Sequence, residues 1–296
     1  MILKNKLSKV KKRIYDYLDP GGYPSLNLYK RRKSKQFFVR NLNKLDEFID
    51  KFRRIFWTNV AKKHPAFACC YKKNYKKSNN AYFREIQKNG FVEIKNFLNT
   101  KDFAYVNNEV KKSINIISKN NPFELETANK GYHPLSAHSQ NLINKKLAPT
   151  IKCCFGKELK PKISLNYISS NDGENDFCNT SNWHADRFIP CINALYFPLG
   201  CDWLPFERLI MSPQIINDKQ AMYLQSHYSV LKNNNTKKYL SICPPNTLIL
   251  GFHHILHRRS ILKEPGSRVT VFLEWYRSFN RFELIKSSLK NLFYSN

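Results

Sequence analysis

Residues 246–276 read NTLILGFHHILHRRSILKEPGSRVTVFLEWY, and the fold turns on how this stretch is divided. Leu248-Ile249-Leu250 is an apolar run of strand length, and Arg268 to Tyr276 is a long strand rich in β-branched and aromatic residues. Between them lie three histidines (His253, His254, His257), Arg258, Arg259 and the turn signal Pro265-Gly266. Working outward, Ile192 to Phe197 is another apolar run, and Ile163, Leu165 and Tyr167 alternate with polar or smaller neighbours, the period of a half-buried strand. Before residue 160 the pattern is mixed. Phe91-Val92-Glu93-Ile94 is a short strand, a helix starts at Asn99 or Thr100, and Val106, Val110, Ile114 and Ile117 recur at helical spacing. Helices followed by many antiparallel strands predict an α+β protein whose second part is a sandwich or jelly roll. There is no internal repeat.

The 296 residues suffice for a full core, and 42% hydrophobic with 14% aromatic residues is a globular composition. The formal charge of +28 is the unusual feature. Residues 1–80 hold 22 Lys/Arg against 5 Asp/Glu, a net of +17, so most of the excess lies in the N-terminal quarter. Two units are therefore expected: a basic, largely helical extension over 1–80 and a domain over 81–296 that contains the strands. Leu3, Leu7, Val10, Ile14 and Leu18 form an amphipathic pattern stopped by Asp19-Pro20-Gly21-Gly22. Such a helix docks on its own domain or lies on an anionic surface, so peripheral contact with anionic membrane or polyanion is expected through residues 1–80. A solvated face in a Lys- and Asn-rich chain explains much of the charge equally well. No stretch has the length of a membrane span, and the N-terminus lacks the apolar core of a signal peptide. The eight cysteines, with vicinal pairs at Cys69-Cys70 and Cys153-Cys154, follow neither zinc-motif nor secreted-disulfide spacing and read as reduced thiols of a cytoplasmic protein.

The chemistry gathers in two places. Asn182-Trp183-His184-Ala185-Asp186 follows a loop and precedes a strand. In an extended segment, residues i and i+2 share a face, so His184 and Asp186 can grip one metal together. With 8 His in the chain, such a pair arises readily by chance and is a weak motif alone. His257 supplies a distal imidazole, and two imidazoles with one carboxylate on one face of an octahedron suit iron(II) with open positions. Arg268 follows eleven residues later. A hairpin of that reach returns it beside His257, with Arg268, Thr270 and Phe272 on one face. An Arg inside a barrel demands an anion, and a carboxylate fits it bidentately.

The order WHAD (183–186), an NTL strand (246–248), LHRR (256–259) and PGSR (265–268) resembles the phytanoyl-CoA dioxygenase-like family. Gly90-Phe91-Val92-Glu93-Ile94-Lys95-Asn96-Phe97-Leu98 is similar to that family's first strand and helix, and the resemblance covers roughly residues 85–281. It implies a double-stranded β-helix, iron(II) held by His184, Asp186 and His257, and the co-substrate 2-oxoglutarate anchored by Arg268. The reaction it implies is oxidation, chiefly hydroxylation, of a small or glycan/lipid-linked metabolite with release of succinate and CO2. Where related enzymes halogenate, a small residue replaces the carboxylate, so Asp186 implies a product without halogen. The family's usual Gly-Ser-His turn reads Met211-Ser212-Pro213 here, so any role of that His is lost.

The remaining residues are weighed against plainer roles. His254 is the second choice as distal ligand and His253 is expected to face away; packing or lining the pocket mouth is the commoner role for both. A zinc site of His253 with His257 on a helix lacks the Glu of a metalloprotease motif. Trp183, Tyr196 and Trp203 are core or pocket lining, and Arg258 and Arg259 are either a solvated loop or contacts to an anionic substrate. Two rival functions remain. A nucleic-acid demethylase of the same chemistry fits the charge, but the second Arg such enzymes carry six residues after the first is Glu274 here. A catalytically silent binding protein on the same barrel is opposed by the intact triad and Arg268.

Overall fold

A computed structural model describes residues 75–120, 135–170, 191–203, 205–210, 237–253, 255, 257–260 and 266–275. Residues 1–74 of the expected N-terminal extension, His184, Asp186, Trp183, His254 and the Met211-Ser212-Pro213 turn lie outside the described residues.

Three α-helices among the described residues precede β2, with the first strand between the first two of them, and each begins where the sequence supplies a cap. Helix α1 (Ala81–Asn89) starts at Asn80, whose side chain accepts from the Phe83 amide, and ends at Gly90 with φ 83°. Helix α2 (Thr100–Asn120) starts at Asn99, whose Oδ1 accepts from the Asp102 amide at 2.9 Å. Helix α3 (Ala137–Phe155) is capped by Ser136 and closed by Gly156. Glu109 on α2 accepts from the Ser136 amide, the Ser136 hydroxyl and the Ser139 hydroxyl, which ties α2 to the start of α3.

The strands are β1 (Phe91–Ile94), β2 (Lys162–Ser170), β3 (Ile192–Phe197), β4 (Phe206–Leu209), β5 (Lys238–Leu240), β6 (Thr247–Phe252), β7 (His257–Arg259) and β8 (Gly266–Trp275). They form a five-stranded sheet in the order β1-β6-β3-β8-β2 and a three-stranded sheet in the order β5-β4-β7. Every pairing is antiparallel. The strand order β2-β8-β3-β6 in one sheet and β7-β4-β5 in the other is the winding of a jelly roll, the double-stranded β-helix. In that winding the step between β2 and β3 falls on residues 171–190, outside the described residues. The expected α+β class is present, as are the strands expected at 91–94 and 192–197, and the strand expected at 268–276 is seen as Gly266–Trp275, Tyr276 lying outside the described residues.

Alternation assigns the two faces of the larger sheet. Leu165, Ile192, Ala194, Tyr196, Leu248, Leu250, Phe252, Val269, Val271, Leu273 and Trp275 pack against residues of the three helices, among them Ile86, Val106, Val110, Ile143, Leu147 and Ile151. The opposite face looks toward the smaller sheet, where Phe91, Leu195, Phe197 and Ile249 cluster with Phe206, Tyr239 and Phe272. One register detail differs from the sequence expectation. β7 and β8 do not form a hairpin: β7 pairs with β4 in the small sheet and β8 with β2 and β3 in the large one. His257 and Arg268 are therefore on facing walls of the barrel instead of adjacent positions in one sheet.

Candidate active site between the sheets

The inner face of β8 carries Arg268, Thr270, Phe272 and Glu274, every second residue, as alternation requires. Arg268 is 5% exposed. Its guanidinium lies 4.3 Å from the ring centroid of Phe206 on the facing sheet, a cation–π contact across the barrel. Beside it, Thr270 on β8 stands opposite Asn166 on β2. The Thr270 hydroxyl and Asn166 Oδ1 are both buried, with no hydrogen-bond partner among the described residues. Buried polar atoms are normally satisfied, so two orphans side by side next to a buried cation mark a place for a polar ligand.

A second buried cation stands near the middle of the barrel. Arg208 on β4 donates through Nη2 to Asn193 Oδ1 on β3 at 3.3 Å. Gly251 makes room for it: a side chain at 251 would meet Arg208 Nη1, Phe91 Cβ and the Gly90 carbonyl. Glycine is needed here for close approach, not for an unusual φ.

His257, on the small sheet opposite Arg208, is 5% exposed. Its Nδ1 lies 2.8 Å from the Ile255 carbonyl. A carbonyl only accepts, so Nδ1 donates to it, and in the neutral ring Nε2 then bears the lone pair, the tautomer a metal ligand needs. His253 does not face away as expected. It follows β6, is 6% exposed, and stacks on His257 with ring centroids 5.0 Å apart and 13° between planes. Its backbone amide donates to Cys191 O at 2.8 Å, which pins the end of β6 to the start of β3. The pocket-end side chains Cys191, His253 and Glu274 place one potential ligand atom each within 4.8 Å of one another.

Of the other expected site residues, Tyr196 is core, fully buried with its hydroxyl on Asn246 at 3.2 Å. Burial raises its phenol well above the ordinary value. Trp203 packs on Gly266, whose missing side chain leaves space for the indole. Arg258 is committed to Glu207, with 2.8 Å to each carboxylate oxygen, on the outer face of the small sheet. That removes it from the role of pocket cation. Asn166, Asn193 and Arg208 were not singled out from the sequence. The period-two pattern of 163–167 already turns Asn166 to the face opposite Leu165, a signal that could have found it.

No family model matches the chain, and no curated protein does. Solved structures do match. EctD from S. alaskensis, with iron bound, is 13% identical over 72% of this chain and 81% of that one, with a TM-score of 0.47. HygX from Streptomyces hygroscopicus, with nickel and 2-oxoglutarate bound, is 10% identical over 68% and 88%, at 0.46. AviO1 from Streptomyces viridochromogenes Tue57 is 11% identical over 68% and 95%, at 0.43. The fold of the present chain rests on its own strand order, and its site on its own residues.

Proposed function

We propose that the chain is a non-haem iron(II), 2-oxoglutarate-dependent oxygenase that oxidises a small or glycan/lipid-linked metabolite. The observation that carries this reading is the trio Arg268, Thr270 and Asn166 on the inner wall of the large sheet, two of them with orphaned oxygen atoms. A guanidinium flanked by a hydroxyl is a receptor for a carboxylate: Arg offers paired N–H donors and the Thr270 hydroxyl adds one. The orphaned Asn166 Oδ1, an acceptor, would take a hydrogen bond from a donor group beside the carboxylate. Iron would be held by His184 and Asp186, on sequence grounds, and by His257 through Nε2. The residues fit that ion, since imidazole and carboxylate are its ordinary donors and the Ile255 carbonyl fixes the His257 tautomer. Bound iron supplies dioxygen activation, coupled to conversion of 2-oxoglutarate to succinate and CO2.

The chain's own part is positional. Arg268 and Thr270 would hold the far carboxylate of the keto-acid deep between the sheets, while His257 directs a lone pair from the opposite wall. Phe206, Phe272, Leu195 and Ile249 line the same interior with apolar surface and limit water there. Asp186 as a ligand leaves no vacancy for halide, so the expected product carries no halogen.

Arg268→Ala tests the reading. Removing one partner of a buried charge pair costs roughly 3–5 kcal/mol, about two to four powers of ten in affinity. Apparent affinity for 2-oxoglutarate, measured by succinate formation or equilibrium binding, should fall by that order while iron affinity changes far less. Thr270→Val, which removes one hydrogen bond to a charged group, should cost about 1.5–3 kcal/mol. Unchanged 2-oxoglutarate affinity in Arg268→Ala would move the anchor to Arg208 or overturn the reading.

A further inference from the structure

The end of the barrel beside His257 holds three donors of a different character. Cys191 precedes β3, His253 follows β6 and Glu274 lies near the end of β8, and these three strands are neighbours in the large sheet. Cys191 and His253 are joined by the backbone bond between them. Glu274 is opposite Asn193, two residues along from Cys191, so all three side chains share the inner face. The Cys191 thiol lies 3.6 Å from Glu274 Oε1, and the three ligand atoms fall within 4.8 Å of one another.

We propose that Cys191, His253 and Glu274 form a binding site for a thiophilic divalent cation of the zinc class, separate from the site that contains His257. One thiolate, one imidazole and one carboxylate are donors that zinc accepts, and three protein ligands leave a fourth tetrahedral position for water or a substrate atom. The thiolate selects against magnesium and calcium. Charge also balances. Binding displaces the Cys191 S–H proton to solvent, and the resulting thiolate and carboxylate neutralise the dication. The donors stand at the ends of paired strands, so little ordering is required when the ion arrives. The stack of His253 on His257 places this cation one ring away from the wall that carries His257.

The assignment does not depend on the oxygenase reading, and a spectroscopic probe separates the two. Cobalt(II) added to the full-length, metal-free protein should give a thiolate-to-cobalt charge-transfer band in the near ultraviolet. A site of two imidazoles and a carboxylate cannot produce that band. It should disappear in Cys191→Ser and persist in His257→Ala. In Glu274→Gln, a partly exposed position, cobalt affinity should fall beyond the roughly 10- to 100-fold that loss of an outer-shell partner costs. Zinc should displace the cobalt and abolish the band. Absence of the band in the wild-type protein at saturating cobalt overturns the site. So does a band undiminished in Cys191→Ser, which assigns it to another thiol. If Cys191→Ser does not fold, Glu274→Gln decides alone. Loss of the band in a folded His257→Ala protein overturns the separateness of the two sites.

Discussion

His257 and His253 are similar side chains to which the iron reading gives different roles. Both are buried and their rings are stacked, and the Ile255 carbonyl holds Nδ1 of His257. On the iron reading, His257→Ala should remove bound iron, as should His184→Ala and Asp186→Ala, whereas His253→Ala should keep one equivalent. Iron content after reconstitution, measured on all four variants together, checks this. Iron retained by His257→Ala and lost from His253→Ala would exchange their roles. The sequence could nominate both histidines, but not orient them. Orientation depended on where β6 ends and β7 begins, and residues 253–257 have no periodic pattern from which to read it.

At the scale of elements, β1, β2, β3, β6 and β8 were legible because their apolar residues alternate or run unbroken, and the start of α2 because Asn99 marks it. Helices α1 and α3 and the short strands β4, β5 and β7 carry no such pattern and were not read from one. The partner of each strand was harder to read. An eleven-residue spacing from His257 to Arg268 fits two strands of one hairpin and two strands of different sheets equally well, and β7 and β8 lie in different sheets. Pairing across the barrel is settled by long-range burial, as with Arg208 filling the space left by Gly251, which no local pattern announces. The helical layer carries its own pH dependence. Burial acts to raise the Glu109 carboxyl, but hydrogen bonds from Ser139 and Ser136, with His138 nearby, outweigh it and leave the group below its ordinary value. A carboxyl with a depressed folded-state pKa contributes stability above its unfolded value and loses it as pH falls through the folded one. Glu109→Gln should therefore lower the melting temperature at neutral pH, with the difference from wild type closing as pH drops below the ordinary carboxylate range. A constant difference across that range would show that the hydrogen bonds, not the ionisation, matter.

Over the whole molecule, charge and chemistry are segregated along the chain. The excess of +17 lies in residues 1–80, whereas every residue argued into the site lies between Asn166 and Glu274. No helix among the described residues is long and apolar enough to cross a membrane. A chain beginning at Asn80 retains the α1 cap and should still bind iron, while losing affinity for anionic vesicles or polyanions in a salt-dependent manner. A folded truncation unable to bind iron would make the extension part of the site. The substrate was not legible from the sequence, because it is set by the pocket mouth and not by the motifs that hold metal and co-substrate. The central claim, that the barrel joins iron and 2-oxoglutarate in one site, is tested most directly by anaerobic titration of the full-length protein with iron(II) and then 2-oxoglutarate. The account predicts a weak visible charge-transfer band that needs both additions, persists in Cys191→Ser, and in Arg268→Ala appears only at far higher 2-oxoglutarate. A protein that binds iron yet gives no such band at saturating 2-oxoglutarate would contradict it.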